Sequence, residues 1–548
     1  APPAAPGASM TDTTRADTTP PNPEQRTGTR GAHGHGAHEQ GTHDHAATKW
    51  WTLVAVCLGT FMLLLDVTIV NVALPNIQTD LGASFADLQW VIDAYALSLA
   101  ALLLTAGSIA DLFGRKRLYV IGLGVFTGAS LLCGIAGDPL LLQLSRGLQG
   151  VGGAVMFAVS LALLADAFRG KDRGTAFGIW GAVTGLAVAV GPLAGGALVS
   201  GLSWRWIFFV NLPVGLVAIG LTLRTVAESR SPQARRPDWV GFVLFSTALA
   251  ALVYGLIESN QAGFGSVKVW GSLVVAAALL TGFLVAEARG AHPMFDLTLF
   301  RLPTFSGGAT AAFGISASIF AMLLYLTLYL QDVLGYTALQ TGVRLLVLSG
   351  GILVTSTIAG RLSTKVPVRW LIGPGLLLVG TGLLLMRGLD ATSTWVHLVP
   401  GLVVAGIGVG MINPPLASTA VGVVRPQQAG MASGINSTFR QVGIATGIAL
   451  LGTLFANQVS SYVANHVAQV PSLEGRGDQL STAIQSGGAA TVLAAVPPQA
   501  RQAVAELTTS AFTTGLNFIL LVAAVVALVA GVVSLIAIRT KDFVQQHG

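Results

Sequence analysis

Gly107-Ser108-Ile109-Ala110-Asp111-Leu112-Phe113-Gly114-Arg115-Lys116-Arg117 joins two apolar stretches, 88–107 and 117–137, through a turn carrying one acid, three bases and two glycines. A preference for cations on one face of a bilayer accounts for Arg115, Lys116 and Arg117. It does not account for Gly107, Asp111 and Gly114 at their spacing. Small residues let two helix ends approach closely, and an acid there can hold a cation or a neighbouring helix N-terminus. The turn therefore predicts a tight, ion-paired junction between two membrane-length helices.

Composition points the same way. Of the 548 residues 53% are apolar and 10% charged, against roughly 25% charged in a soluble domain. A chain so poor in charge cannot cover its apolar surface in water, and the sequence reads as an all-α integral membrane protein. Runs of about 20 apolar residues cross ~30 Å of hydrocarbon as helices. Fourteen spans are expected, at roughly 52–74, 88–107, 117–137, 139–166, 174–200, 206–224, 238–258, 268–287, 304–330, 340–363, 368–387, 395–422, 430–456 and 513–538. An even number puts both termini on one side, where cations should gather. Of the 30 Lys and Arg, 22 fall in the two tails and the loops after even-numbered spans. Five lie on the other side (Arg205, Lys268, Arg387, Arg476, Arg501), and Arg146, Arg344 and Arg440 fall inside spans. The split predicts a multi-pass protein of the cytoplasmic (inner) membrane with both termini cytoplasmic. It also makes the net charge of +6 an orientation signal, with no nucleic-acid partner implied. Cys57 and Cys133 fall within spans, where packing is the ordinary role and no disulfide is indicated.

Residues 1–49 hold no apolar run, so span 1 itself is expected to direct insertion, and Met10 is a candidate start. This tail, with His33, His35, His38, His43 and His45, is expected to be disordered. Imidazoles bind several metals, but no cysteine or rigid scaffold fixes a geometry here, and no metal site is assigned. Leu81-Gly82 reappears as Leu334-Gly335 and Gly107 as Gly360, both 253 residues on; Gly174-x-Ala176-x-Gly178-Ile179 is echoed by Gly430-x-Ala432-x-Gly434-Ile435. The expected organisation is a six-helix bundle at 50–226, a basic linker with inserted spans 7 and 8 at 227–301, and a second bundle at 302–538. The second bundle has a long outer loop, 457–512, and residues 539–548 form a cytoplasmic tail. Thr364 stands where a second copy of Asp111 would map.

Burial at membrane depth is costly for an ion, so intramembrane charges are paired, neutralised or functional. At ~1.5 Å per residue Asp66 lies roughly 12 Å and Arg146 about 11 Å from the outer ends of their spans, level enough for an ion pair. Asp93 is shallower, beside Trp90 and Tyr95, placed either to bind substrate or to reach the interface. Asn436 and Arg440 form a polar patch about ten residues into span 13, another candidate substrate contact or an inter-helix packing point. In span 5, Gly191-Pro192-x-x-Gly195-Gly196 joins a helix-bending proline to close-packing glycines, as expected where a helix kinks and slides.

The 107–117 turn resembles the signature loop of the major facilitator superfamily, and the span-5 stretch resembles the antiporter motif of its proton-driven drug exporters. Leu65-Asp66-x-Thr68, Trp90-Val91-x-x-Ala94-Tyr95, Arg146-x-x-Gln149-Gly150, Trp204-Arg205-Trp206, Asn211-x-Pro213 and Phe439-Arg440-Gln441 extend the likeness to the fourteen-span drug:proton antiporter branch. The resemblance implies a major facilitator fold, two six-helix bundles plus a two-helix insertion, and no enzymatic activity. It implies export of amphipathic, often cationic, drugs or antibiotics, driven by the proton gradient without a cofactor. Protons, small amphipathic substrates and the bilayer are the implied partners, and a monomer suffices. Asp66 and Arg146 would couple protons; Asp93, with Trp90, Tyr95, Asn436 and Arg440, would contact substrate. Gly107, Asp111, Gly114, Arg115, Gly191, Pro192, Gly195 and Gly196 would form the conformational switch. The positions 253 beyond Asp66 and Asp93 are Ile319 and Leu346, a departure from dication exporters. Export of an endogenous lipid or metabolite, or a sensor or scaffold with this fold, are the alternatives.

Overall fold

The computed structural model describes residues 37–168, 170–230, 238–263, 265–290, 295–363, 365–424, 429–470, 477–485 and 497–543. Residues 1–47 form one unit and residues 48–548 another. The first is helical from Ala37; residues 1–36, with His33 and His35, and Thr364 lie outside the described residues. The second unit carries all the membrane-length helices among the described residues.

Every described regular element is helical: α1 (Ala37–Leu81), α2 (Phe85–Phe113), α3 (Arg115–Gly134), α4 (Pro139–Ala167), α5 (Gly170–Gly201), α6 (Trp206–Phe209), α7 (Asn211–Thr225), α8 (Trp239–Ala262) and α9 (Val267–Arg289). Then come α10 (Pro303–Ile315), α11 (Ala321–Leu328), α12 (Ala338–Leu362), α13 (Arg369–Leu385), α14 (Val399–Gly422), α15 (Ala429–His466), α16 (Gly477–Gln485) and α17 (Arg501–Ala537), with short 3-10 and π turns between some of them. Among the described residues twelve helical stretches are long and apolar enough to cross a membrane, not fourteen. The other two expected spans correspond to the shorter apolar helices Val190–Gly201, within α5, and Arg369–Leu385. At 17 residues α13 measures about 25 Å, short of a full hydrocarbon core.

Local chemistry explains where the helices start. Ser84 Oγ accepts from Asp87 N (3.2 Å) while Asp87 Oδ2 accepts from Ser84 N (2.9 Å), a reciprocal cap on α2. Thr337 and Gln340 do the same for α12 at 3.2 and 3.1 Å. Each box follows a glycine at positive φ, Gly82 (61°) and Gly335 (69°), a conformation glycine adopts without steric cost. The two boxes are also 253 residues apart, so the repeat read from Leu81-Gly82 extends to the caps. The pairings of α2 and α3 with α4 recur as α12 and α13 with α14.

Residues 48–225 and 303–543, here the first and second halves, meet along α2–α15 and α5–α12. Away from the 107–117 turn, Leu339 N donates to Ser200 Oγ (2.9 Å) and Gln331 Nε2 to Val72 O (2.8 Å). The α8–α9 hairpin lies over the α2–α15 seam. It is pinned to α15 by Thr453 Oγ1, which donates to Leu256 O (2.7 Å) and lies 3.1 Å from Ser259 Oγ. In the long loop between α15 and α17, α16 packs on both of those helices through buried Leu480 and Ile484.

Candidate functional site

Asp66 on α1 and Arg146 on α4 are 0% and 1% exposed, and Asp66 Oδ2 lies 2.5 Å from Arg146 Nη1. The level depths read from the sequence thus become a contact. A buried carboxylate needs its remaining lone pairs filled, and Asp66 Oδ1 accepts from Gln149 Nε2 (2.8 Å) and Asn211 Nδ2 (3.1 Å). Arg146 donates further to Gln149 Oε1 (2.8 Å) and, through Nε, to Val91 O (3.1 Å). Its guanidinium lies 4.2 Å from the centre of the Tyr95 ring, a cation–π contact. Ser130 Oγ accepts from Asn211 (3.0 Å) and donates to Phe208 O (2.9 Å). One ion pair therefore ties together α1, α2, α3, α4 and the start of α7. A Cβ at Gly150 would sit 2.5 Å from Tyr95 O, so glycine there lets α4 lie close enough to α2 for the Val91 and Tyr95 contacts.

A narrow cleft lies between the halves, lined by Thr68 and Asn71 of α1, Pro192 of α5, Phe320, Ser349 of α12 and Val409 of α14, with aliphatic side chains around them. Among the described residues no carboxylate lines it. Phe320 ends a π-helical turn, Ser316–Phe320, a local irregularity common at functional sites. None of the five residues expected to contact substrate is in the lining. Tyr95 is under Arg146; Trp90 packs toward the α8 hairpin with Val253 and Ala445. Asn436 Nδ2 donates to Gly308 O at 3.5 Å. Arg440 has its guanidinium 6.0 Å from the ring centre of Phe320, which does line the cleft. Asp93 is 0% exposed in the α2–α15 seam and does not reach the interface. The second half carries a carboxylate just beyond the end of the expected ninth span: Asp332, in the π turn Tyr329–Val333, with Oδ2 buried and without a partner among the described residues.

The 107–117 turn is ion-paired as expected. Asp111 Oδ1 contacts Arg115 Nη2 (2.7 Å), and Arg115 Nη1 reaches Asp166 Oδ2 at the end of α4 (2.5 Å). Gly114, at φ 115°, starts α3 without a side-chain cap. Glu228 supplies one from a distance, accepting from Lys116 N (3.1 Å) and Arg117 N (3.2 Å), where the helix dipole favours an anion. Around Gly107 a Cβ would meet nothing within 4 Å among the described residues, so no close helix approach explains that glycine. The span-5 glycines do meet neighbours: Gly191 faces Thr68, Gly195 faces Ile69, and Gly196 faces Ala338 of the second half.

The sequence model of the Major Facilitator Superfamily matches residues 56–448. The chain belongs to the major facilitator superfamily. It is 39% identical over 421 residues to the multidrug resistance protein Stp of Mycobacterium tuberculosis, covering 77% of this chain and 78% of that protein. It is 39% identical over 426 residues to the puromycin resistance protein pur8 of Streptomyces alboniger (76% and 84%). It is 34% identical over 490 residues to the tetracenomycin C resistance and export protein of Streptomyces glaucescens (89% and 91%). Among solved structures, a bacterial homolog of the human lysosomal transporter Spinster, inward-facing and occupied, shares the fold with a TM-score of 0.61 at 18% identity, over 90% of this chain and 98% of that one. This member of the superfamily is thus a multi-pass membrane transporter of small molecules, not an enzyme.

Proposed function

We propose that this transporter exports amphipathic drugs or antibiotics across the cytoplasmic membrane in exchange for protons, by alternating access of the central cleft. The observation that carries the reading is the buried Asp66–Arg146 pair on the helix that also lines the cleft. At 100° per residue, Thr68 and Asn71 point away from Asp66 on α1, so one face meets Arg146 and the other the cargo. A proton that displaces Arg146 from Asp66 would shift α1, and with it the cleft. Its inward passage releases about 2.3 kcal/mol per ~100 mV. The acid-free lining favours apolar, amphipathic cargo with no required positive charge, and the cation split supports a cytoplasmic 107–117 turn and cytoplasmic termini. In everted vesicles with an acidified lumen, a panel of drugs is expected to include substrates whose addition releases protons from the lumen. Uptake of substrates with no proton release would reject antiport while leaving export standing.

Asp111, Arg115, Asp166 and Glu228 brace the cytoplasmic end of the first half so that it moves as one body. Because these groups are partly exposed, each pair is worth at most ~1 kcal/mol to stability. Asp111→Ala is therefore expected to lower turnover several-fold while substrate affinity and thermal stability change little. Lost binding with a lowered melting temperature would give Asp111 a folding role instead.

A further inference from the structure

Among the described residues Asp93 is the one buried acid with both carboxyl oxygens unpartnered. It is 0% exposed, and neither carboxyl oxygen has a hydrogen-bond partner among the described residues. A carboxylate ion taken out of water with no donor in reach is so costly that such groups neutralise instead. The charges on the packed helices offer no relief. On α4, Arg146 is bound to Asp66, and Asp166 is an acid bound to Arg115. On α15, Arg440 lies over Phe320, and His466 is at the far end of the helix, stacked on Tyr462. Glu258 of α8 and Asp87 and Asp111 of α2 are acids themselves. Tyr325 of α11, close enough to feel an Asp93 charge, gives its hydroxyl to Ile448 O (2.8 Å).

The position of Asp93 gives this isolation a consequence. α2 belongs to the first half and α15 to the second, and their seam is zipped one turn away by Gln89 Nε2, which donates to Ile448 O (3.1 Å). Any rocking that exposes the cleft on the side away from the 107–117 turn must part this seam and admit water to the carboxyl.

We propose that Asp93 is a second proton-binding carboxyl, set in the seam between the halves, which takes up one proton as the seam shuts and returns it to water as the seam parts. An O–H bond forms on one Asp93 oxygen with a proton from the solution on the open side, and the same bond breaks when water re-enters. Closure then consumes a proton, so acid on that side favours the shut, cytoplasm-facing state. By linkage, the shut-to-open ratio changes tenfold per pH unit wherever the hydrated carboxyl is ionised. This role differs from reading the charge of the cargo, since Asp93 is absent from the cleft lining.

The inference rests on the rocking mechanism proposed above, and the test separates the two. In the full-length transporter, spin labels on cysteines placed at Ala86 of α2 and Leu450 of α15 report seam opening; the native Cys57 and Cys133 are buried. Between about pH 5 and about pH 8, where a hydrated carboxyl is ionised, the shut fraction is expected to rise as pH falls. Asp93→Asn, which mimics the neutral acid, should shut the seam and remove one proton from the pH slope. An unchanged slope in Asp93→Asn overturns the inference alone; a seam that never opens at any pH overturns rocking as well. Infrared difference spectra give a check that needs no loss of the acid. The shut wild-type protein should show a protonated-carboxyl stretch at neutral pH, moved in Asp93→Glu, and a band that does not move with that substitution counts against Asp93.

Discussion

Asp66→Asn is expected to reduce gradient-driven export to background while the protein still inserts and folds. The amide keeps an oxygen that can accept from Gln149 or Asn211, but it cannot exchange a proton or balance a charge. Arg146 would retain Gln149 Oε1, Val91 O and the Tyr95 ring, so the guanidinium stays coordinated when its counter-ion is gone. Arg146→Ala is the harsher change: it opens a cavity and leaves Asp66 buried with two neutral donors, and breaking a buried pair from one side costs about 3–5 kcal/mol. Asp66→Asn should therefore lose more function than stability, with no substrate-driven proton release in everted vesicles and a smaller drop in thermal unfolding than Arg146→Ala. Arg146→Ala should lose both. Proton-coupled efflux surviving in Asp66→Asn would remove Asp66 from the coupling site.

How much of this was legible in the sequence depends on whether a residue's partner can be found by depth alone. Asp66 and Arg146 are rare charges at equal depth on helices that must each bury them, so the pairing could be read. Gln149, Asn211 and Ser130 complete the same site but are neutral, and polar neutral residues in a span are too common to signal a role. The fragments Arg146-x-x-Gln149 and Asn211-x-Pro213 carried the only hint. Asp93 was visible as an acid but not its surroundings. Distance from a span end cannot say whether a side chain faces a cleft, the lipid or a neighbouring helix, and here it faces a seam made with α15, over 300 residues away. Asp166 and Glu228 were missed because each lies at a helix end or beyond one, where acids are ordinary; only the fold brings them to the 107–117 turn. The repeat read from glycines held further than expected, since Ser84/Asp87 and Thr337/Gln340 preserve a capping chemistry under different letters.

Gly342→Ala is expected to disable transport through a single methyl group. Gly342 of α12 lies against the carbonyl of Pro192 and the Cα of Leu193 in α5, backbone atoms that cannot swing aside as a side-chain tip would. The contact joins the two halves, so the clash exists only while the α5–α12 seam is shut as it is here, and each half's own core is untouched. Overpacking of this kind costs about 1–3 kcal/mol, and at 1.4 kcal/mol per decade that shifts the shut-to-open ratio by about five-fold to over a hundredfold. A transporter held open on one side cannot return its cleft to the other. Export should fall by a similar factor, while spin labels across the seam report the shift and thermal unfolding stays close to the parent. Gly350→Ala is the matched control, on the same helix with nothing within 4 Å of the added carbon. If the two variants transport alike, the α5–α12 contact does not govern the cycle, and the glycines of both helices serve packing alone.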